Sequence, residues 1–157
     1  MVLAKKLAAS GSRALGVEVL NHAFDYMLYP LVVLLLGTLR GGVAMTILAV
    51  LLNYRLVQIY SKSQYDWYGF EWMKVKAAEQ GTGWAGTFLR MGMVPAFVFL
   101  SWEDPFKAFI LVRGKKGVGC KFGRLDWITF LGANILGNLI WTGMLGSVIE
   151  GLKHLFA

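Results

Sequence analysis

The sequence predicts an all-α, polytopic membrane protein with about four membrane-embedded helical segments. Three observations carry this reading. Apolar stretches cover roughly residues 20–39, 41–52, 84–102 and 127–149, and a bilayer core needs about 20 apolar residues per spanning helix. The chain is 57% hydrophobic and only 16% charged, whereas an average soluble domain is about 45–50% apolar and about 25% charged. Glycine supplies 19 of the 157 residues; small residues let helices approach closely in lipid, but in water each would weaken a helix by about 1 kcal/mol. The length fits a single integral domain, residues 1–157.

The formal charge is +7, and where the positive residues sit decides what it means. They gather at the ends of apolar stretches and in loops: Lys5, Lys6 and Arg13; Lys62, Lys74 and Lys76; Arg113, Lys115, Lys116, Lys121 and Arg124. That is the pattern of cytoplasmic loops facing anionic headgroups, not of a nucleic-acid interface. The location it implies is a bilayer, the bacterial inner membrane or an organelle membrane, with membrane lipids as partners. The one cysteine, Cys120, rules out an internal disulfide.

The elements follow in order. Residues 1–16 have basic residues interrupted by Ser10, Ser12 and Arg13, with no long apolar core; this reads as an interfacial basic segment, not a secretory signal. The first membrane segment runs from about Val17 to Leu39, with a kink expected at Pro30. Residues 38–42 make a tight reversal, and the second segment continues to about Tyr60. One unbroken helix through this region would bury Arg40 at the bilayer centre, at a cost of about 2.5–3.5 kcal/mol, so a hairpin is the better reading.

Residues 61–83 mix Tyr65, Trp67, Tyr68, Phe70 and Trp72 with charges. Such aromatics suit the headgroup zone, and a surface-lying helix is expected over residues 67–80. The third stretch breaks at residues 101–105. There Asp104 can cap a new helix and Pro105 suits its first position. The new helix, to about Val112, spans only about 12 Å. It must lie at the interface or turn back as a re-entrant piece, covered by protein or water. A return would place all three basic clusters on one side. The last segment, residues 127–149, has Asp126 to cap its start and Gly151 to end it.

Two polar constellations stand out. Asn134, Asn138 and Thr142 recur every four residues on the last helix, beside the small pairs Ala133 with Gly137 and Gly143 with Ser147. Such faces meet other helices; with Arg90 and Asp104 they are also the candidates to line a path. Glu18, His22 and Asp25 share one helical face, where they could relay protons or hold a metal, or simply sit in headgroup water. No HExxH, Cys-x-x-Cys, phosphate-loop or nucleophile motif is present in the sequence. No cofactor or catalytic residue is therefore expected.

Asn134-x-x-Gly137-x-x-x-Trp141 resembles the late helix of DedA-type membrane proteins over about 20 residues. The resemblance implies lipid transport and re-entrant helices. The arginine- and proline-bearing motif of that family is not matched by residues 90–95.

The function expected from all this is that of a non-catalytic subunit or self-assembling scaffold of a membrane complex, with further copies or complex subunits as partners. The alternative is a small oligomeric channel or transporter for an ion, small solute or lipid. Behind both stands a lipid-modifying enzyme built on Glu18, His22 and Asp25.

Overall fold

A computed structural model describes residues 2–63, 66–68, 93–114 and 121–156. These are helical almost throughout, with no strand among the described residues. The chain starts with one long helical run in three parts: α1 (Val2–Ala23), a π turn (Phe24–Leu28) and α2 (Tyr29–Leu36). Pro30 explains the π turn. It has no N–H, and its ring would meet the carbonyl four residues back. One wider turn, closed by Tyr29 N–H donating to Phe24 O, removes the conflict. The irregularity expected at Pro30 is thus taken up in residues 24–28, one residue ahead of the proline.

The chain reverses at Gly37, whose φ of 80° belongs to the left-handed region that suits glycine. The reversal was expected over residues 38–42, yet α3 (Thr38–Lys62) already begins there, so Arg40 lies in its first turn. Gly41 lets α2 and α3 touch: a Cβ added to it would stand 2.7 Å from Val33 Cα.

α4 (Met93–Glu103) and α5 (Pro105–Arg113) meet at one extended residue, Asp104, with φ −160° and ψ 105°. They pack on each other like the arms of a hairpin, and both pack on α6 (Arg124–Phe156). The expected break after residue 103 is present, and α5 is nine residues long. α6 runs past both expected limits. Asp126 sits in its first turn and accepts from Gly123 N–H at 3.0 Å. Gly151 continues the helix instead of ending it.

α5 is the buried centre, with Phe106 and Phe109 fully enclosed. Its start packs near Tyr60 and Trp67, and its end reaches Phe122 and Asp126. Trp67 is buried, and its Nε1 donates to Ser63 Oγ; a helix was expected over residues 67–80, but residues 67–68 form a bend and residues 69–80 lie outside the described residues. One end of the bundle therefore gathers the finish of α3, the finish of α5 and the start of α6. Lys62, Arg113, Lys121 and Arg124 belong to this end, and Val17 of α1 joins its core. Gly37 marks the other end, where Thr38 meets Gly146.

Three helical stretches are long and apolar enough to cross a membrane: Ala14–Leu36, Thr38–Lys62 and Arg124–Ile149. α4 is apolar but shorter. The outer faces of these helices carry large exposed side chains, including Leu34, Leu35, Leu39, Ile47, Leu131 and Leu139. Exposed apolar faces of this extent are of the kind that membranes or partner proteins cover.

Candidate functional site

The bundle core holds a polar seam. Asn53 Nδ2 on α3 donates to Asn134 Oδ1 on α6 at 2.8 Å, and both residues are buried. Asn134 and Asn138 each spend a donor on the carbonyl four residues earlier in α6. Tyr29 O–H donates to Asn138 O at 3.0 Å and meets Thr142 Oγ1 at 2.7 Å. The stripe of Asn134, Asn138 and Thr142 therefore faces protein. It ties α2, α3 and α6 together.

The Asn53–Asn134 contact makes a sharp stability prediction. Either single change, Asn53→Leu or Asn134→Leu, should cost about 1–3 kcal/mol, since it leaves one buried amide without its partner. The double change should cost much less than the two single costs added together. Strict additivity in thermal or denaturant unfolding would show that the amides act separately.

A second polar group is centred on Lys107. Its side chain is buried, and Nζ lies 2.7 Å from Glu18 Oε1, 2.8 Å from Glu103 Oε1 and 4.0 Å from Asp104 Oδ2. Asp104 is only 3% exposed. Its Oδ1 accepts from Phe106 N–H at 2.9 Å, the N-cap bond of α5, and its Oδ2 accepts from Asn21 Nδ2 at 2.7 Å. The cap explains why α5 starts where it does. The other oxygen ties the break to α1, and Glu18 ties it one turn further along.

Beside this group lies a cleft of about 510 Å³, within the range of small-molecule sites. Glu18, His22 and Asp25 all line it, with Glu103, Asp104 and Lys107 opposite. Tyr26, Phe99, Trp102 and Trp141 supply an aromatic wall. Trp141 Nε1 donates to Trp102 O at 3.1 Å, and its ring stands edge-on to Tyr26 at 5.7 Å. A much smaller space of about 30 Å³ adjoins the cleft, sharing Asn21, Asp25, Asp104 and Trp141 with it, and reaches Tyr29, Asn53 and Asn138. It has room for about one or two waters.

Sequence reading treated Glu18, His22 and Asp25 and the residues around Asp104 as separate features; the fold brings them to one cleft. His22 Nδ1 bonds Glu18 O along α1, and the described residues contain no group of His, Cys, Asp and Glu arranged to hold a metal. Asn138 reaches the small inner space, whereas Asn134 and Thr142 are used inside the seam. Arg90 and Cys120 lie outside the described residues. Two site residues were missed, Lys107 and Asn21. Lys107 had a readable signal, a lone lysine inside the apolar run of residues 106–112. An ionisable residue in such a run is a functional candidate by default.

Of the small pairs, Ala133 and Gly137 are internal. A Cβ on Gly137 would run into the Ser101 carbonyl and stand 3.0 Å from the Pro105 ring. Gly143 has open space above it, and Ser147 is exposed. Set against protein-family models, curated proteins and solved structures, the chain matches none of them.

Proposed function

We propose that this is a small multi-pass membrane protein of the transporter type, which takes a small polar solute or headgroup into the cleft beside Lys107. The observation that carries the reading is the cleft itself. It places ionisable side chains against a broken helix, between two of the helices long enough to span a bilayer. Charged groups inside membrane segments are costly and are kept where they face a pathway or a binding site, and interrupted helices mark such sites in transporters. The basic end of the bundle is the cytoplasmic one by the positive-inside rule. The α4–α5 hairpin then enters and leaves on that side as a re-entrant element, giving three crossings and a return.

The test is reconstitution. The protein should resist extraction by carbonate or high salt. In liposomes it should raise the uptake of at least one of potassium, chloride, choline, glycine or urea above that of empty vesicles. Glu18→Gln should cut that uptake about tenfold, while Arg124→Gln, at the basic end, leaves it unchanged. No uptake of any of the five overturns the reading.

A second reading, a non-catalytic scaffold subunit, is favoured by the outer face of α6. Gly143, Ser147 and Gly151 are exposed at four-residue spacing, and such faces let helices of neighbouring subunits approach closely. A large particle in detergent that shows no solute uptake would select this second reading.

A further inference from the structure

We propose that the cleft binds the ammonium group of an organic cation, and this rests on the transporter-type reading above. The first argument is charge. Four carboxylates line the cleft, Glu18, Asp25, Glu103 and Asp104, against one ammonium, Lys107. Lys107 is already shared among Glu18, Glu103 and Asp104, so its positive charge is not free to hold an anion. Among the described residues no ion pair is made by Asp25, which lines both the cleft and the inner space. With Asp104 only 3% exposed and Asp25 partly buried beside it, this excess of negative charge is costly unless a cation or protons balance it.

The second argument is the aromatic lining. Trp102, Trp141, Tyr26 and Phe99 face the same space, with Phe99 edge-on to Trp102 at 6.0 Å and Tyr29 inclined to Trp141 at 6.4 Å. Aromatic faces attract cations through their quadrupoles, and aromatic cages are how quaternary ammonium groups are recognised. A bare metal ion gains little from such a wall, and the described residues offer it no ligand group. The cleft of about 510 Å³ is also far larger than an ion requires. Carboxylates and aromatic rings lining one space fit a bulky, weakly hydrated cation. The same chemistry is carried by a free amine and by a zwitterionic lipid headgroup.

The experiment is a titration of tryptophan fluorescence on the detergent-solubilised full chain, because Trp102 and Trp141 report on the cleft. Choline is the probe. Its neutral isostere, 3,3-dimethylbutan-1-ol, controls for shape, and sodium chloride controls for ionic strength. Choline should give a saturable change and the isostere should need at least about tenfold more, a difference of about 1.4 kcal/mol. Asp25→Asn should weaken choline about tenfold, and Arg124→Gln should not. Monomeric diheptanoylphosphatidylcholine, tried against the phosphatidylglycerol of the same chain length, separates the sources. Tighter binding than choline with headgroup selectivity identifies a lipid, whereas no advantage over choline identifies a free solute.

Equal response to choline and the isostere, or no saturable response by the folded wild type, overturns the proposal. Proton uptake with no choline binding also overturns it, because protons then balance the carboxylates. The wild-type comparison decides even if Asp25→Asn does not fold. Choline binding without transport in liposomes leaves this inference standing and removes the transporter reading; transport of another solute without choline binding does the reverse.

Discussion

Replacing Gly137 by leucine is expected to destabilise the fold by about 3 kcal/mol or more, whereas Ile135→Leu should cost under about 1.5 kcal/mol. The two residues are two apart on α6 and look in different directions. Ile135 is 48% exposed on the outer face, and a change of branching there meets no neighbour that must move. Gly137 is where α6 meets the turn between α4 and α5. Even a single Cβ collides with the Ser101 carbonyl and presses on the Pro105 ring. Backbone gives way only by moving the whole hairpin, so the strain is not relieved by a rotamer change. Opening this contact also pulls Asp104 away from Asn21 and strains the Trp141–Trp102 bond one turn on. Thermal unfolding in detergent checks the pair of variants. Equal midpoints for Gly137→Leu and Ile135→Leu would mean that the α6–hairpin contact is not formed. Gly137→Ala should already lose stability, since the collision begins at Cβ.

Much of this fold was legible because its signals are local. The stop and start around Asp104 and Pro105 needs only an acceptor for one N–H and a ring that fits the first helical turn. The structure makes that bond to Phe106 N–H at 2.9 Å. The length and apolarity of the three long stretches likewise need no partner to be read. Errors arose where a residue's role depends on geometry beyond its neighbours. The reversal was expected over residues 38–42, on Gly41 and Gly42, but Gly37, just ahead of them, is the one that takes positive φ. Gly41 and Gly42 instead serve close contacts with Val33 and Thr142. Gly151 has the composition of a helix stop, yet α6 passes through it. The cleft was the least legible feature. Glu18 and Lys107 are 89 positions apart in sequence and 2.7 Å apart in space. Their pairing comes from the way α5, packed on α3, α4 and α6, turns its first residues toward α1, and no spacing rule within one helix reports it. Asn21 carried even less signal, being a single amide whose partner, Asp104, lies 83 residues away.

The largest loss after Gly137→Leu is expected for Lys107→Met, at about 3–5 kcal/mol. Methionine fills nearly the same volume, so the loss is electrostatic and not a matter of packing. It leaves the 3%-exposed Asp104 without its cation, and Glu18 without its tie across to α5. Breaking a buried ion pair from one side costs more than the pair ever contributed, because the remaining charge stays out of water. A second change should therefore recover most of the loss. Asp104→Asn removes the stranded charge yet keeps an oxygen able to accept from Phe106 N–H, since asparagine caps helices as well as aspartate does. The double variant Asp104→Asn with Lys107→Met should then lie within about 1–2 kcal/mol of the wild type, a coupling of 2 kcal/mol or more on the scale of interacting buried groups. Additive losses would place the value of Lys107 in its packing against Tyr68, whose ring centre lies 5.5 Å from Nζ. Hydrogen exchange separates the two causes. Loss of the Glu18 tie should speed exchange in α1 around residues 14–23 in Lys107→Met, and the double variant, which does not restore that tie, should exchange there just as fast even as its global stability returns.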